Sequence, residues 1–202
     1  MNKRHWLQSA LGLGLLAAGA VSLTGCSPEK PQFHGVDITG ADYARDFKLT
    51  DHNGQVRSLQ DFRGKVVMVF FGYTQCPDVC PTSMQELAEV KKLLGSNGDK
   101  FQGIFITVDP ERDTQELLKA YMANFDPSFL ALRGSPEQIA AIAKDFKVYY
   151  KRVDGKTPTS YTMDHSAGSY AYDPQGRLRL YNRYASGAAN LAADAQLLLK
   201  TP

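Results

Sequence analysis

The chain has 202 residues, 43% of them apolar and 22% charged, with a formal net charge of +2. This length provides one domain with a proper core and is too short for two once the ends are set aside. No Lys/Arg run argues for a nucleic-acid partner, and there is no internal repeat or low-complexity segment.

The first element reads as a targeting segment. Lys3, Arg4 and His5 make a basic start. Leu11 to Leu23 is apolar over a length within the ~7–15 residues of a signal-peptide core and short of the ~20 needed to cross a bilayer. Leu23-Thr24-Gly25-Cys26 follows, small residues before a cysteine as in a bacterial lipobox. Residues 1–25 are therefore expected to be a lipoprotein signal peptide, Cys26 the lipidated residue, 26–41 a tether and 42–202 the domain. Removing Lys3 and Arg4 brings the 23 basic residues level with the 21 acidic ones. Such a chain would face the periplasm of a bacterial cell envelope, attached to the membrane by lipid. Ser27 leans toward the outer membrane, although the choice of membrane stays open.

Phe47 to Leu49 and Val56 to Leu59 flank an Asn53-Gly54 turn and are expected to form a hairpin. Val66 to Phe71 is a continuous β-branched and aromatic run, the pattern of a central buried strand. A helix is expected over Thr82 to Leu94, with Pro81 in its first turn. Phe101 to Val108 is a second central strand. Thr114 caps a helix reaching about Asn124, and Phe129 to Leu132 is a short strand. Ser135-Pro136 opens a further helix with Ile139, Ile142, Ala143 and Phe146 on its buried stripe. Lys147 to Arg152 is extended, and Asp154 to Ser160 is a polar excursion. Ser169 to Tyr172 and Leu178 to Tyr181 form a hairpin around Asp173-Pro174-Gln175-Gly176, and Leu191 to Leu199 closes the chain as a helix. The order gives an α/β fold: a thioredoxin-like sandwich with a central mixed β-sheet and an N-terminal β-hairpin.

The chemistry concentrates in Cys76-Pro77-Asp78-Val79-Cys80. These residues follow a central strand and open a helix, where unpaired N–H groups and the helix dipole favour thiolate. If Cys26 carries lipid, Cys76 and Cys80 remain as a pair in an oxidising compartment. Residues i and i+4 on a helix lie ~5–6 Å apart at Cβ, which suits two sulfurs converging on one metal ion. A disulfide needs the Cβ atoms at about 3.8 Å, which Pro77 could allow by bending the first turn. The spacing admits both chemistries. Two thiolates call for a third ligand. His34 falls in the tether, His52 reads as a solvated turn residue, and His165 sits in Asp164-His165-Ser166 just before a strand.

The run Gly72 to Pro81 resembles the signature of the Sco/SenC family of copper-binding assembly proteins. Val108-Asp109-Pro110-Glu111-Arg112-Asp113-Thr114, Gly134 to Ile139, and Asp164-His165-Ser166 with Tyr170 and Asp173 to Gly176 agree in the family's order. Together these blocks span about residues 45–185. The resemblance implies copper as the metal, with Cys76, Cys80 and His165 as its ligands. It implies a role in building the copper centre of cytochrome c oxidase, with the oxidase's copper-site subunit as partner; whether another periplasmic copper chaperone is the donor is left open by the sequence. Thiolates select Cu(I) and imidazole supports both oxidation states; zinc is the physical competitor.

Two functions of different classes follow: a metallochaperone, and a thiol–disulfide oxidoreductase in which Cys76 attacks and Cys80 resolves. A peroxiredoxin fits poorly, because its threonine stands three residues before the cysteine and Thr74 stands two before. Asp78 reads equally as a tuning group and as a solvated acid. Asp109 and Asp113 read as cap residues ahead of a second carboxylate metal site, and Tyr161, Tyr170 and Tyr172 as packing. Small Ala167 and Gly168 are expected to loosen the wall beside His165.

Overall fold

The structure, a computed structural model, describes residues 31–157 and 160–200. The expected signal peptide, Cys26 and the first part of the tether lie outside these residues. Among those described, no helix is long and apolar enough to cross a membrane.

Strands β1 (Val36–Asp37), β2 (Leu49–Asp51), β3 (Val56–Arg57), β4 (Val66–Gly72), β5 (Phe101–Thr107), β6 (Leu130–Arg133), β9 (Ser169–Tyr172) and β10 (Leu178–Asn182) form one sheet in the order β1-β10-β9-β4-β5-β6-β2-β3. Helices α1 (Val79–Leu93), α2 (Gln115–Met122), α3 (Pro136–Asp145) and α4 (Ala188–Lys200) complete it, and β7 (Tyr150–Val153) pairs with β8 (Thr162–His165) as a separate ribbon. Parallel pairing of β4 with β5 and of β5 with β6 requires crossovers, which α1 and α2 supply. Antiparallel β9 lies on the other side of β4. This is the mixed thioredoxin-like sandwich.

Strand β4 shows why the centre sits where it does. All seven of its residues are buried, as are all seven of β5, so the unbroken apolar run is a strand covered on both faces. Phe70, Phe71, Phe101, Phe105, Phe129 and Phe146 fill the space between sheet and helices. The helix starts follow their chemistry. The Thr114 hydroxyl accepts the Leu117 N–H, and Ser135 with Gln138 forms a reciprocal capping box. The β2–β3 turn is held by the Asp51 carboxylate, which accepts the N–H groups of Asn53 and Gln55 and the Nε of Arg57.

Several expectations are revised. Residues 33–41 do not run free. β1 adds to the edge of β10, and the His34 and Gly35 N–H groups donate to the fully buried carboxylate of Asp194 on α4 at 2.9 and 2.8 Å. An acid buried in that position needs donors, so the chain folds onto the sheet before residue 42. His52 is not solvated. It is buried, with Nδ1 accepting the Ala131 N–H at 3.1 Å. Gly168 is covered by the Tyr181 ring, 2.3 Å from where a Cβ would stand. Helix α1 begins at Val79, three residues earlier than expected, so Cys80 lies within its first turn.

Candidate metal centre

Cys76 belongs to the β4-to-α1 turn and Cys80 to the first turn of α1. Gly72 ends β4, and a side chain there would meet Cys80 Sγ and a Phe105 ring carbon at 2.8 Å. Only a bare backbone lets the thiol of α1 seat itself against the sheet. Cys80 is fully buried, Cys76 half-buried, and both are free thiols. The Cys80 N–H points at Cys76 Sγ at 3.4 Å, and the Asp78 N–H also serves that sulfur. Hydrogen bonding from the Cys80 thiol holds the Cys76 thiol well below its ordinary value; burial opposes this, and the Asp78 and Cys80 N–H groups assist. The shared proton and burial together push Cys80 up. The pair therefore gives up its first proton readily and keeps its second.

His165 ends β8, not the loop before a strand. Tyr150 pairs with His165 across the β7–β8 ribbon, and alternation along Tyr161, Met163 and His165 turns these three side chains inward. That period-two signal was present in the sequence, masked by polar neighbours. The imidazole stands edge-on to Phe70 and Tyr73, with ring centroids 6.0 and 5.9 Å away. Nδ1 lies 2.9 Å from the Ser166 carbonyl oxygen. A carbonyl only accepts, so Nδ1 carries the proton and Nε2 presents its lone pair to Cys80 Sγ at 3.3 Å. A backbone carbonyl on the far nitrogen is the usual way a metal-binding imidazole is oriented.

Cys76 Sγ, Cys80 Sγ and a ring nitrogen of His165 lie within 4.8 Å of one another, and this is the one such cluster among the described residues. Two soft sulfurs and one imidazole nitrogen suit Cu(I) in three-coordination and leave room for a fourth donor.

The other residues singled out in the sequence do not join the cluster. Asp113 is fully buried and accepts the Thr74 N–H, the Thr74 hydroxyl at 2.6 Å and the Thr107 hydroxyl at 2.6 Å. Asp109 accepts the Tyr161 hydroxyl at 2.8 Å and the Arg112 Nε. Both are structural. Asp78 is exposed, with Thr82 donating to it at 3.3 Å. The Tyr170 and Tyr172 hydroxyls donate to the carbonyls of Phe146 and Ala44, as packing residues do.

The family model described as SCO1/SenC matches residues 36–200. The chain belongs to the SCO1/SenC family. Among SCO1/SenC relatives, a "SCO2-like protein" of Rickettsia felis is 37% identical over 154 residues, 75% of each chain. The copper-bound ScoI of Bradyrhizobium japonicum is 42% identical, covers 76% of this chain and 97% of its own, and superposes with a TM-score of 0.70. Apo Sco1 from Thermus thermophilus is 37% identical, with coverages of 83% and 97% and a TM-score of 0.73.

Proposed function

We propose that this chain is a metallochaperone that takes up copper through Cys76, Cys80 and His165 and passes it to the copper-site subunit of cytochrome c oxidase. The observation that carries this is the convergence of two thiols and one imidazole within 4.8 Å. A SCO1/SenC relative at 42% identity is copper-bound, which supports copper over zinc. Copper is cargo here. Two thiolates hold Cu(I), the imidazole extends the site to Cu(II), and half-exposed Cys76 is the ligand an acceptor's sulfur reaches first. The ion would arrive from another periplasmic chaperone. A lipid on Cys26 would keep the exchange at the membrane, on the periplasmic side of a bacterial envelope.

A second reading is favoured by the unequal thiols. A readily ionised, half-exposed Cys76 beside a buried Cys80 is also the arrangement of an attacking and a resolving sulfur. On that reading the chain reduces the oxidase's copper-site cysteines.

His165→Ala separates the two. In the reduced full chain, wild type is expected to bind one copper ion and to give an intense sulfur-to-Cu(II) charge-transfer band. His165→Ala should lose stable Cu(II) binding and fail to support oxidase assembly at limiting copper, while Cys76 and Cys80 still form and break a disulfide. Normal assembly by His165→Ala at limiting copper, with either cysteine variant inactive, would replace the chaperone by the reductase. Cys26→Ala should leave copper binding intact and release the exported protein from membranes; retention of this variant in the membrane fraction would remove the lipid anchor.

A further inference from the structure

The ribbon carrying His165 has no strand ladder to the main sheet, because β7 and β8 pair only with each other. Apart from its chain links to α3 and β9, side chains hold it in place relative to the two sulfurs. The loop from Val108 to Thr114, between β5 and α2, provides them. Tyr161, just ahead of β8, lies with its ring between two guanidinium groups. The Arg112 and Arg152 Cζ atoms stand 3.5 and 3.7 Å from its centroid. The Tyr161 hydroxyl donates to Asp109 at 2.8 Å. Arg112 Nη1 donates to the Tyr161 carbonyl at 2.8 Å and to Gln75 Oε1 at 3.1 Å, while its Nε binds Asp109. Gln75 directly precedes Cys76. The same guanidinium also stands over the ring of Tyr73, 5.7 Å from its centroid, and that ring is edge-on to His165.

One planar cation thus touches the segment that delivers the thiols and the segment that delivers the imidazole, and it touches neither ligand. We propose that Arg112 is a positioning residue whose guanidinium, clasped to Tyr161 and Gln75, sets the separation between His165 Nε2 and the sulfurs of Cys76 and Cys80. The inference deepens the copper reading and rests on it. Lysine cannot replace the device, because a single ammonium lacks the flat fork that stacks on Tyr161 while binding Asp109, the Tyr161 carbonyl and Gln75 at once.

The test compares the full chain as wild type, Arg112→Lys, Tyr161→Phe and His165→Ala. Each is titrated with Cu(II), followed by its charge-transfer band, and studied without metal by backbone hydrogen exchange. Arg112→Lys is expected to weaken Cu(II) binding tenfold or more and to move the band toward that of His165→Ala. Without metal, exchange should quicken at residues 162–166 and stay unchanged in β4 and β5. Tyr161→Phe keeps the stacked ring and loses only the hydroxyl bond to Asp109, so it should move both readouts less in the same direction; it decides the matter if Arg112→Lys does not fold. A folded Arg112→Lys protein with wild-type band, affinity and exchange overturns the inference. So does exchange that quickens equally throughout the sheet, which would make Arg112 a general stabiliser. If wild type binds no copper while exchange in Arg112→Lys rises only at 162–166, the copper reading fails and the positioning of His165 stands.

Discussion

Cys76 and Cys80 are the same residue type four positions apart, yet their surroundings give them different chemistry. Cys76 is half-buried and accepts the N–H groups of Asp78 and Cys80, whereas Cys80 is wholly inside. A free thiol titrates near 8.5, so its alkylation slows about tenfold per pH unit below that. In the reduced, metal-free chain, iodoacetamide should modify Cys76 at nearly the same rate from pH 8 to pH 6, because the depressed value keeps the thiolate populated across that window. Cys80 should stay unmodified. Peptide mapping after a timed pulse at each pH checks both statements, and a tenfold loss of Cys76 labelling per unit would contradict them. His165 differs in kind: its role depends on a tautomer, fixed by one carbonyl oxygen at 2.9 Å.

The elements bearing these residues were unequally legible. β4 could be read directly, since an unbroken run of Val, Met and Phe admits little but a central strand; α1 was legible as a helix, but its start lies three residues ahead of the expected one because Pro81 lies inside its first turn. β8 was not legible as a strand. It is four residues long with two of them exposed, and its partner β7 is mostly exposed, so neither shows the clean apolar pattern of the main sheet. The burial of His52 was illegible for another reason: its partner Ala131 is 79 residues away in sequence. The same holds for the Arg112–Tyr161 stack, which joins two loops that only the fold brings together. The end of β4 yields a prediction. Gly72→Ala would push a methyl group into Cys80 Sγ and Phe105. Overpacking of this kind costs about 1–3 kcal/mol, and the displaced sulfur should weaken metal binding beyond the loss of stability. Urea unfolding with a parallel copper titration measures both; a variant as stable as wild type and binding copper equally would show that the close approach is unimportant.

At the scale of the whole molecule, Asp194 joins the two ends of the domain. It is fully buried on α4, and its carboxylate accepts the backbone N–H groups of His34 and Gly35 and meets His34 Nδ1 at 3.0 Å. Asp194→Ala would leave two backbone donors without their acceptor, at about 1–3 kcal/mol for each donor that stays buried. The expected result is a lower urea midpoint together with faster proteolysis at residues 31–38; an unchanged midpoint would make the strap dispensable.

The 85 residues separating Cys80 from His165 have a consequence for how the protein matures. Strand β4 and helix α1 are neighbours in sequence and bring the dithiol together through local contacts. The imidazole depends on the ribbon and on β9 docking against β4, which are long-range events and intrinsically slower. A half-folded chain therefore offers sulfur alone, and the nitrogen joins only when the topology is closed. On the proposed copper reading, Cu(II) would then report a closed topology, because the finished fold is what brings the three donors together.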